Sequence, residues 1–280
     1  MVTSLNIDLH CHSCVSDGML QPADVVARAR ANGVDVLALT DHDEIGGLAE
    51  AAAAADKLGL RFVPGVEISV TWANNTVHIV GLQVDPQSSK LADGLRDTRA
   101  GRERRARDMS DQLAAVGIPG AFEGGLRHAG NPELLGRTHF ARYLVEIGVC
   151  KDVREVFQRY LIEGKPGYSP MRWASLPDAV GWILGAGGIA VIAHPGRYDY
   201  TPMQFDALFE EFLALGGKGI EVVTGSHTPD QYREYAVIAR QYGFLASRGS
   251  DFHGPTESRV DLGALPPLPG NLVPVWHDWF

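Results

Sequence analysis

Short apolar runs alternate along this chain with amphipathic stretches that open on a proline or polar cap and stop at a glycine, the rhythm of strands joined by helices. Residues 5–12 read as a first strand. Residues 21–33 read as a helix with Pro22 in its first turn and Gly33 as its cap. A second strand at 34–40, an alanine-rich helix at 44–58 that stops at Gly59, and a third strand at 61–70 continue the pattern. The link Trp72-Ala-Asn-Asn-Thr76 is too short for a crossover helix, so a fourth strand at 76–84 is expected to return antiparallel, carrying His78 toward Glu67.

After Asp85-Pro86 the strands stop. Residues 90–116 read as one helix with an arginine-rich run, Arg96, Arg99, Arg102, Arg104, Arg105 and Arg107, whose Arg99/Glu103, Arg104/Asp108 and Arg107/Asp111 spacings suit surface ion pairs. A glycine-rich linker at 117–130 leads to a helix opening at Gly136-Arg137, and Val153, Val156, Phe157, Tyr160 and Leu161 mark the face of another. The alternation then resumes: a helix from Ser175 to about Gly187, a strand at 189–196, a helix from Thr201, a strand at 219–224, a helix from Thr228 to Gly243, and a last strand at 244–253. Seven strands mostly linked by helices predict an α/β barrel from 1–84 and 166–280, with 85–165 as a helical insertion over its mouth. The proline-rich 266–269 stretch and the aromatic tail Trp276-His-Asp-Trp279-Phe280 predict an extended end docked on the barrel or on a neighbour.

Charge changes this picture in one place. The net charge of −9 argues against a general nucleic-acid-binding surface. Yet residues 85–165 hold 14 Lys and Arg against 12 Asp and Glu, while the rest holds 11 against 22. The insertion is electrostatically distinct. No apolar run is long enough to span a bilayer and the N-terminus lacks a signal-peptide pattern, so a cytoplasmic protein with no membrane association is expected. Cys11, Cys14 and Cys150 make no even disulfide framework. Cys11 and Cys14 form a C-x-x-C without a second pair, and Cys11 alternates with two histidines, so a redox or zinc pair is not expected.

Those histidines open the chemistry. In a strand, His10 and His12 share a face and can converge on one ion. Asp17, His42, Glu67, His78, His194, Asp251 and His253 each lie at or near an apolar run, and such recurrence points to a metal centre. Together His10-x-His12, Asp17, Thr40-Asp-His42-Asp, Gly65-Val-Glu67, His78, Ala193-His194-Pro195 and Gly249-Ser-Asp251-Phe-His253 resemble the motifs of the PHP (polymerase and histidinol phosphatase) family, in the family's order.

The resemblance implies a distorted seven-stranded barrel with three metal ions. His10, His12, Glu67 and Asp251 would hold one; Glu67 would bridge to a second with His78 and His194; Asp17, His42 and His253 would hold the third. It favours manganese, and six imidazoles with three carboxylates also suit iron or zinc. Three divalent ions against three carboxylates leave a site of about +3, which suits a phosphate and metal-activated hydroxide at the phosphorus. Gly136-Arg137-Thr-His139-Phe-Ala-Arg142 and Val156-Phe-x-x-Tyr160-Leu-x-x-Gly164-Lys165-Pro166-Gly-Tyr168 resemble the branch of nucleoside 3′,5′-bisphosphate phosphatases and a related 5′-to-3′ exoribonuclease. That branch implies removal of a 3′-phosphate from a small nucleotide, with Arg137, His139 and Lys165 on the substrate phosphates.

His227 is a further candidate to orient substrate or protonate the leaving oxygen. Arg197 and Arg248 are expected on the substrate or paired with Asp41 or Asp43, and Tyr198, Tyr200 or Phe140 on a base or in packing. The alternatives are exonuclease action on short RNA, a histidinol phosphate phosphatase, an amidohydrolase, and a non-catalytic metal-binding module. No stable protein partner is evident.

Overall fold

The computed structural model describes residues 5–279. The chain runs β1 (Ile7–Asp8), α1 (Pro22–Ala31), β2 (Val36–Leu39), α2 (Leu48–Leu58), β3 (Arg61–Trp72) and β4 (Asn75–Leu82). It continues with α3 (Ser89–Arg99), α4 (Arg102–Ala115), α5 (Ala121–Leu126), α6 (Arg137–Glu146) and α7 (Val153–Val156), the last running into a wider helical turn, Phe157–Leu161. Then come α8 (Leu176–Gly185), β5 (Ile189–Ile192), α9 (Pro202–Ala214), β6 (Gly219–Thr224), α10 (Pro229–Tyr242) and β7 (Leu245–Gly249). α9 and α10 start on capping boxes, Thr201 with Gln204 and Thr228 with Gln231, which satisfy backbone N–H groups that a helix start leaves open.

The strands lie in sequence order in one seven-stranded sheet. Pairings are parallel except β3–β4 and β4–β5. β1 is shorter than its apolar run suggests. After Asp8 the chain also bonds β7 and the segment beyond it: Leu9 N–H donates to Arg248 O at 3.0 Å, His12 N–H to Phe252 O at 2.8 Å, and Asp251 N–H to His10 O at 2.8 Å. This closes the barrel. A Cβ on Gly249 would stand 2.2 Å from His10 Cβ, so the closure requires glycine there.

Alternation along the strands divides the core. Val36 and Ala38 join Ile7, Leu9, Val63, Val80, Leu82 and Val191 in the barrel interior, while Leu37 and Leu39 pack against Val25, Val26 and Ala29 of α1. Val275 fills the same interior, held because Val275 N–H donates to Ala246 O at 2.9 Å and Ala246 N–H to Val273 O at 2.8 Å. The C-terminal tail therefore docks on its own barrel; its final Phe280 lies outside the described residues.

The short link forms the expected hairpin, with Ala73 (φ 44°) and Asn74 (φ 63°) in the left-handed region that a tight two-residue turn requires. His78 pairs with Ser69 and Val80 with Glu67, so Glu67, Ser69 and His78 share a face.

Two expectations for the insertion are corrected. Residues 90–116 form two helices, because Ala100-Gly101 breaks the run and lets Arg99 and Arg102 both turn to the barrel. Within 117–130 a short helix, α5, forms where Gly124 admits the Tyr143 ring, 2.4 Å from where a Cβ would lie. α3 packs Leu91 and Leu95 into the cluster that contains Val180 and Ile183 of α8, whereas a separate cluster begins at Ala106 and is centred on Met109, Leu113, Phe140 and Leu144. Among the described residues no helix is long and apolar enough to cross a membrane, and Cys11, Cys14 and Cys150 are free thiols.

Candidate metal centre

The nine metal-ligand candidates come from distant segments, and the closed barrel brings them to one end. His10 and His12 follow β1, His42 follows β2, His194 follows β5, Asp251 and His253 follow β7, and Glu67 and His78 project from the hairpin strands. Asp43, His194 and Asp251 adopt positive φ without being glycine, a strain that clusters at this end of the barrel.

Glu67 is the hub. Its Oε1 lies 2.9 Å from His78 Nδ1, 3.0 Å from His194 Nε2 and 3.4 Å from His10 Nε2. Its Oε2 lies 2.9 Å from His42 Nδ1 and 3.4 Å from His12 Nε2. Asp251 Oδ1 stands 3.2 Å from His12 Nε2 and 3.6 Å from His10 Nε2, and Asp17 Oδ1 stands 3.3 Å from His253 Nε2. Four overlapping sets have ligand atoms within 4.8 Å of one another: His10, Glu67 and His194; His10, His12 and Asp251; His42, Glu67 and His78; and His12, Asp17, His42 and His253.

The electrostatics fit cations. Burial opposes ionisation of the carboxylates, yet imidazoles prevail and hold each well below its usual range: His42 and His78 at Glu67, His253 and His42 at Asp17, His10 and His12 at Asp251. Burial, with repulsion from His253 and His42, pulls His12 to about 3, and burial with Arg197 does the same to His194. The same carboxylates favour the protonated forms of His10, His42 and His253, the last raised to about 9, so positive charge is already stabilised where cations would stand and an ion binding here displaces those protons. His12 Nδ1, His42 Nδ1, His194 Nδ1, Asp17 Oδ1 and Glu67 Oε2 are buried without a hydrogen-bond partner, which is the mark of a site shaped for another group. The donor set fits divalent metal ions.

Several residues around this cluster were not legible in the sequence. Glu221, on the irregular part of β6, lies with Oε1 2.9 Å from His10 Nδ1, and its Oε2 accepts from His194 N–H at 2.6 Å, so it orients two ligands at once. Asp41 holds the 13–16 loop through Ser13 Oγ and Ser16 Oγ, both at 2.6 Å. Asp43 accepts from Ser69 and pairs with Arg102, while Arg99 pairs with Glu44 at 3.3 Å and Glu133 at 3.6 Å. The expected Arg99/Glu103 pair does not form: Arg99 turns to Glu44 and to the Asp43 carbonyl, which docks the insertion, and Glu103 pairs with Arg107 at 2.8 Å instead.

Arg197 pairs with Asp251 Oδ2 at 3.1 Å, and Arg248 donates to Leu265 O and Asn6; neither meets Asp41 or Asp43. Tyr198 donates to Ala193 O at 2.9 Å, Tyr200 to Trp72 O at 3.0 Å, and Phe140 is in the insertion core, so all three are packing residues.

The candidate substrate residues separate. Arg137 lines a cavity of about 150 Å³ over the cluster, with Arg102, Arg105, Arg197, Thr138 and Trp173. A second cavity of about 280 Å³ adjoins it, sharing Thr138, Phe157, Arg197 and His253. Lys165 is exposed and lines neither. His139 is fully buried, its Nδ1 accepting from Gly136 N–H at 3.1 Å. His227 Nε2 accepts from Gly196 N–H at 2.9 Å, which places its proton on Nδ1, 3.2 Å from Val222 O. With both nitrogens engaged by backbone, His227 supports the turn after His194 and has no proton to give a leaving oxygen.

Burial pulls His139 from 6.5 to about 4. A folded value below the unfolded one means a contribution to stability that is complete above pH 6.5 and lost as pH falls toward 4, at most about 3 kcal/mol. Thermal midpoints of the wild type therefore fall across this window, and those of His139→Gln fall less; parallel curves would refute the assignment.

A family model described as "PHP domain" matches residues 8–115. A Chromobacterium violaceum protein described as a 3′,5′-nucleoside bisphosphate phosphatase is 54% identical over 98% of this chain and 96% of its own. The chain belongs to the PHP family. Another relative, described as a 5′-3′ exoribonuclease from Haemophilus influenzae, is 43% identical over 97% of this chain and 98% of its own. A solved structure from Chromobacterium violaceum, described as an amidohydrolase with bound sulfate and no metal, superposes with a TM-score of 0.95 at 54% identity, over 98% of this chain and 95% of that one.

Proposed function

We propose that this protein is a metal-dependent phosphatase that removes the 3′-phosphate from nucleoside 3′,5′-bisphosphates, releasing a 5′-mononucleotide and phosphate. The observation that carries the reading is that two of the four arginines lining the cavity, Arg105 and Arg137, face it without a carboxylate partner among the described residues. Arg105 donates to Ser169 O at 2.8 Å and Arg137 reaches Leu161 O at 3.5 Å; among the described residues no ion pair joins either to an acid. Burial, then repulsion from Arg137 and Arg102, pulls Arg105 down to about 9, still protonated at neutral pH. Burial, with Arg197 and Arg102, lowers Arg137 as well, though its interaction with Tyr168 opposes this. Such crowding of like charge is relieved by an anion, and forked guanidinium donors match phosphate oxygens.

Three divalent ions would share these donors, with His10, His12, Glu67 and Asp251 for one, Glu67, His78 and His194 for a second, and Asp17, His42 and His253 for the third, a division that the short distances within each group support. This mixture of imidazole and carboxylate suits a borderline divalent ion such as manganese, iron or zinc, and the family resemblance favours manganese. When bound, such ions lower the pKa of water and neutralise charge on phosphate oxygens. The chain itself holds the ligands in place through Glu221, presents Arg137 and Arg105 to a substrate phosphate, and offers Trp173, with the Arg102 guanidinium 4.7 Å from its ring centre, as an aromatic wall. The Chromobacterium relative's phosphatase description and the sulfate bound to the solved structure support the same anion chemistry. Free thiols and a nucleotide substrate support a cytoplasmic setting.

The test is phosphate release from adenosine 3′,5′-bisphosphate by manganese-loaded protein, with the nucleotide identified. The expected product is 5′-AMP, which is itself not hydrolysed comparably. Stepwise loss of mononucleotides from 5′-phosphorylated RNA with no release from the bisphosphate would overturn this reading in favour of the exonuclease activity of the Haemophilus relative.

A further inference from the structure

Asp17 sits in a loop with no sheet to hold it, and two side chains of the insertion reach across to it. Thr138 Oγ1 donates to Asp17 Oδ2 at 3.0 Å, leaving Oδ1 buried, without a hydrogen bond, and turned toward His253. One turn later on α6, Arg142 Nη2 donates to the Asp17 backbone oxygen at 2.6 Å. The same guanidinium grips both oxygens of Glu257, Nε to Oε1 and Nη2 to Oε2, each at 2.8 Å. Glu257 belongs to the loop that follows His253, where Ser258 Oγ accepts from His253 N–H at 2.7 Å. The Arg142 and Glu257 side chains are 10% and 16% exposed, so this is a sheltered bidentate pair of the stronger kind.

We infer that α6 is part of the cation site: Thr138 and Arg142 are positioning residues that set Asp17 and His253, so the ion held by Asp17, His42 and His253 depends on the docked insertion. The inference rests on the metal-centre reading above. The three other donor sets, His10/Glu67/His194, His10/His12/Asp251 and His42/Glu67/His78, receive no hydrogen bond from a side chain of α6 among the described residues, and the ions centred on Glu67 are expected to be indifferent to it. The geometry also gives division of labour within one helix. Thr138 selects which Asp17 oxygen faces the ions, and Arg142 fixes the spacing between the Asp17 loop and the His253 loop.

The experiment compares wild type with Thr138→Val, Thr138→Ser and Arg142→Gln for bound manganese per chain, by elemental analysis after gel filtration and by calorimetric titration, with circular dichroism to confirm folding. Valine keeps the shape and removes the donor. Thr138→Val and Arg142→Gln are expected to lose one ion per chain, or to bind it about 10- to 100-fold more weakly, with the remaining ions unchanged. Thr138→Ser, which keeps the hydroxyl, is expected to restore it. Equal loading and affinity in wild type and Thr138→Val overturns this inference alone. A wild type that holds no manganese overturns it together with the metal-centre reading.

Discussion

Glu67→Gln abolishes phosphate release from the bisphosphate, by more than about 1,000-fold, and strips bound metal from the protein. The substitution is nearly isosteric, so folding is not what it tests. Both Glu67 oxygens are committed: Oε1 lies within 3.4 Å of His78, His194 and His10, and Oε2 within 3.4 Å of His42 and His12. Glutamine keeps one acceptor and turns the other into an N–H donor aimed at neutral imidazoles that would share a cation. It also removes the one carboxylate belonging to two of the four donor sets. Metal content and turnover should therefore fall together. A Glu67→Gln protein that stays loaded and active would show that the cluster works without its central carboxylate.

Arg137→Glu raises KM for the bisphosphate by at least about 100-fold while changing kcat far less. A hydrogen bond to a charged group is worth about 1.5–3 kcal/mol, so deleting it costs roughly 10- to 150-fold, and reversing the charge adds repulsion from the phosphate. Arg137 has no carboxylate to leave unpaired; its guanidinium meets the Leu161 carbonyl and lies 5.6 Å from the Phe157 ring centre. The new carboxylate would have Arg105 and Arg102 nearby, which makes the variant tolerable to the fold. Steady-state kinetics on manganese-loaded protein decide the matter: an unchanged KM would remove Arg137 from the phosphate site.

These two residues were both visible in the sequence, one through Gly65-Val-Glu67 on an apolar run and one through the resemblance of Gly136-Arg137-Thr-His139-Phe-Ala-Arg142 to a branch of the family. The residues beside them were not. Glu221 lies in the middle of an apolar strand, where a lone carboxylate carries no signal, and only the closed barrel places it against His10 and His194. His227 and His139 read as chemistry because histidine at a rim or in a basic motif suggests it. Their roles turned on which backbone N–H reached each ring, Gly196 in one case and Gly136 in the other. Lys165 followed a motif yet points to solvent.

By itself the sequence determined the seven strands, the helices that link them outside the insertion, the hairpin that faces Glu67 with His78, and nine ligand candidates, because each rests on local periodicity, turn chemistry or position at the end of an apolar run. The tertiary structure alone decided how β1 and β7 close, which arginines dock the insertion and which face the cavity, and that α6 reaches Asp17. Those outcomes depend on burial and on partners far apart in the chain. Spacing along a helix describes only neighbours one turn away, whereas a buried carboxylate such as Asp43 draws its arginine from 59 residues further along.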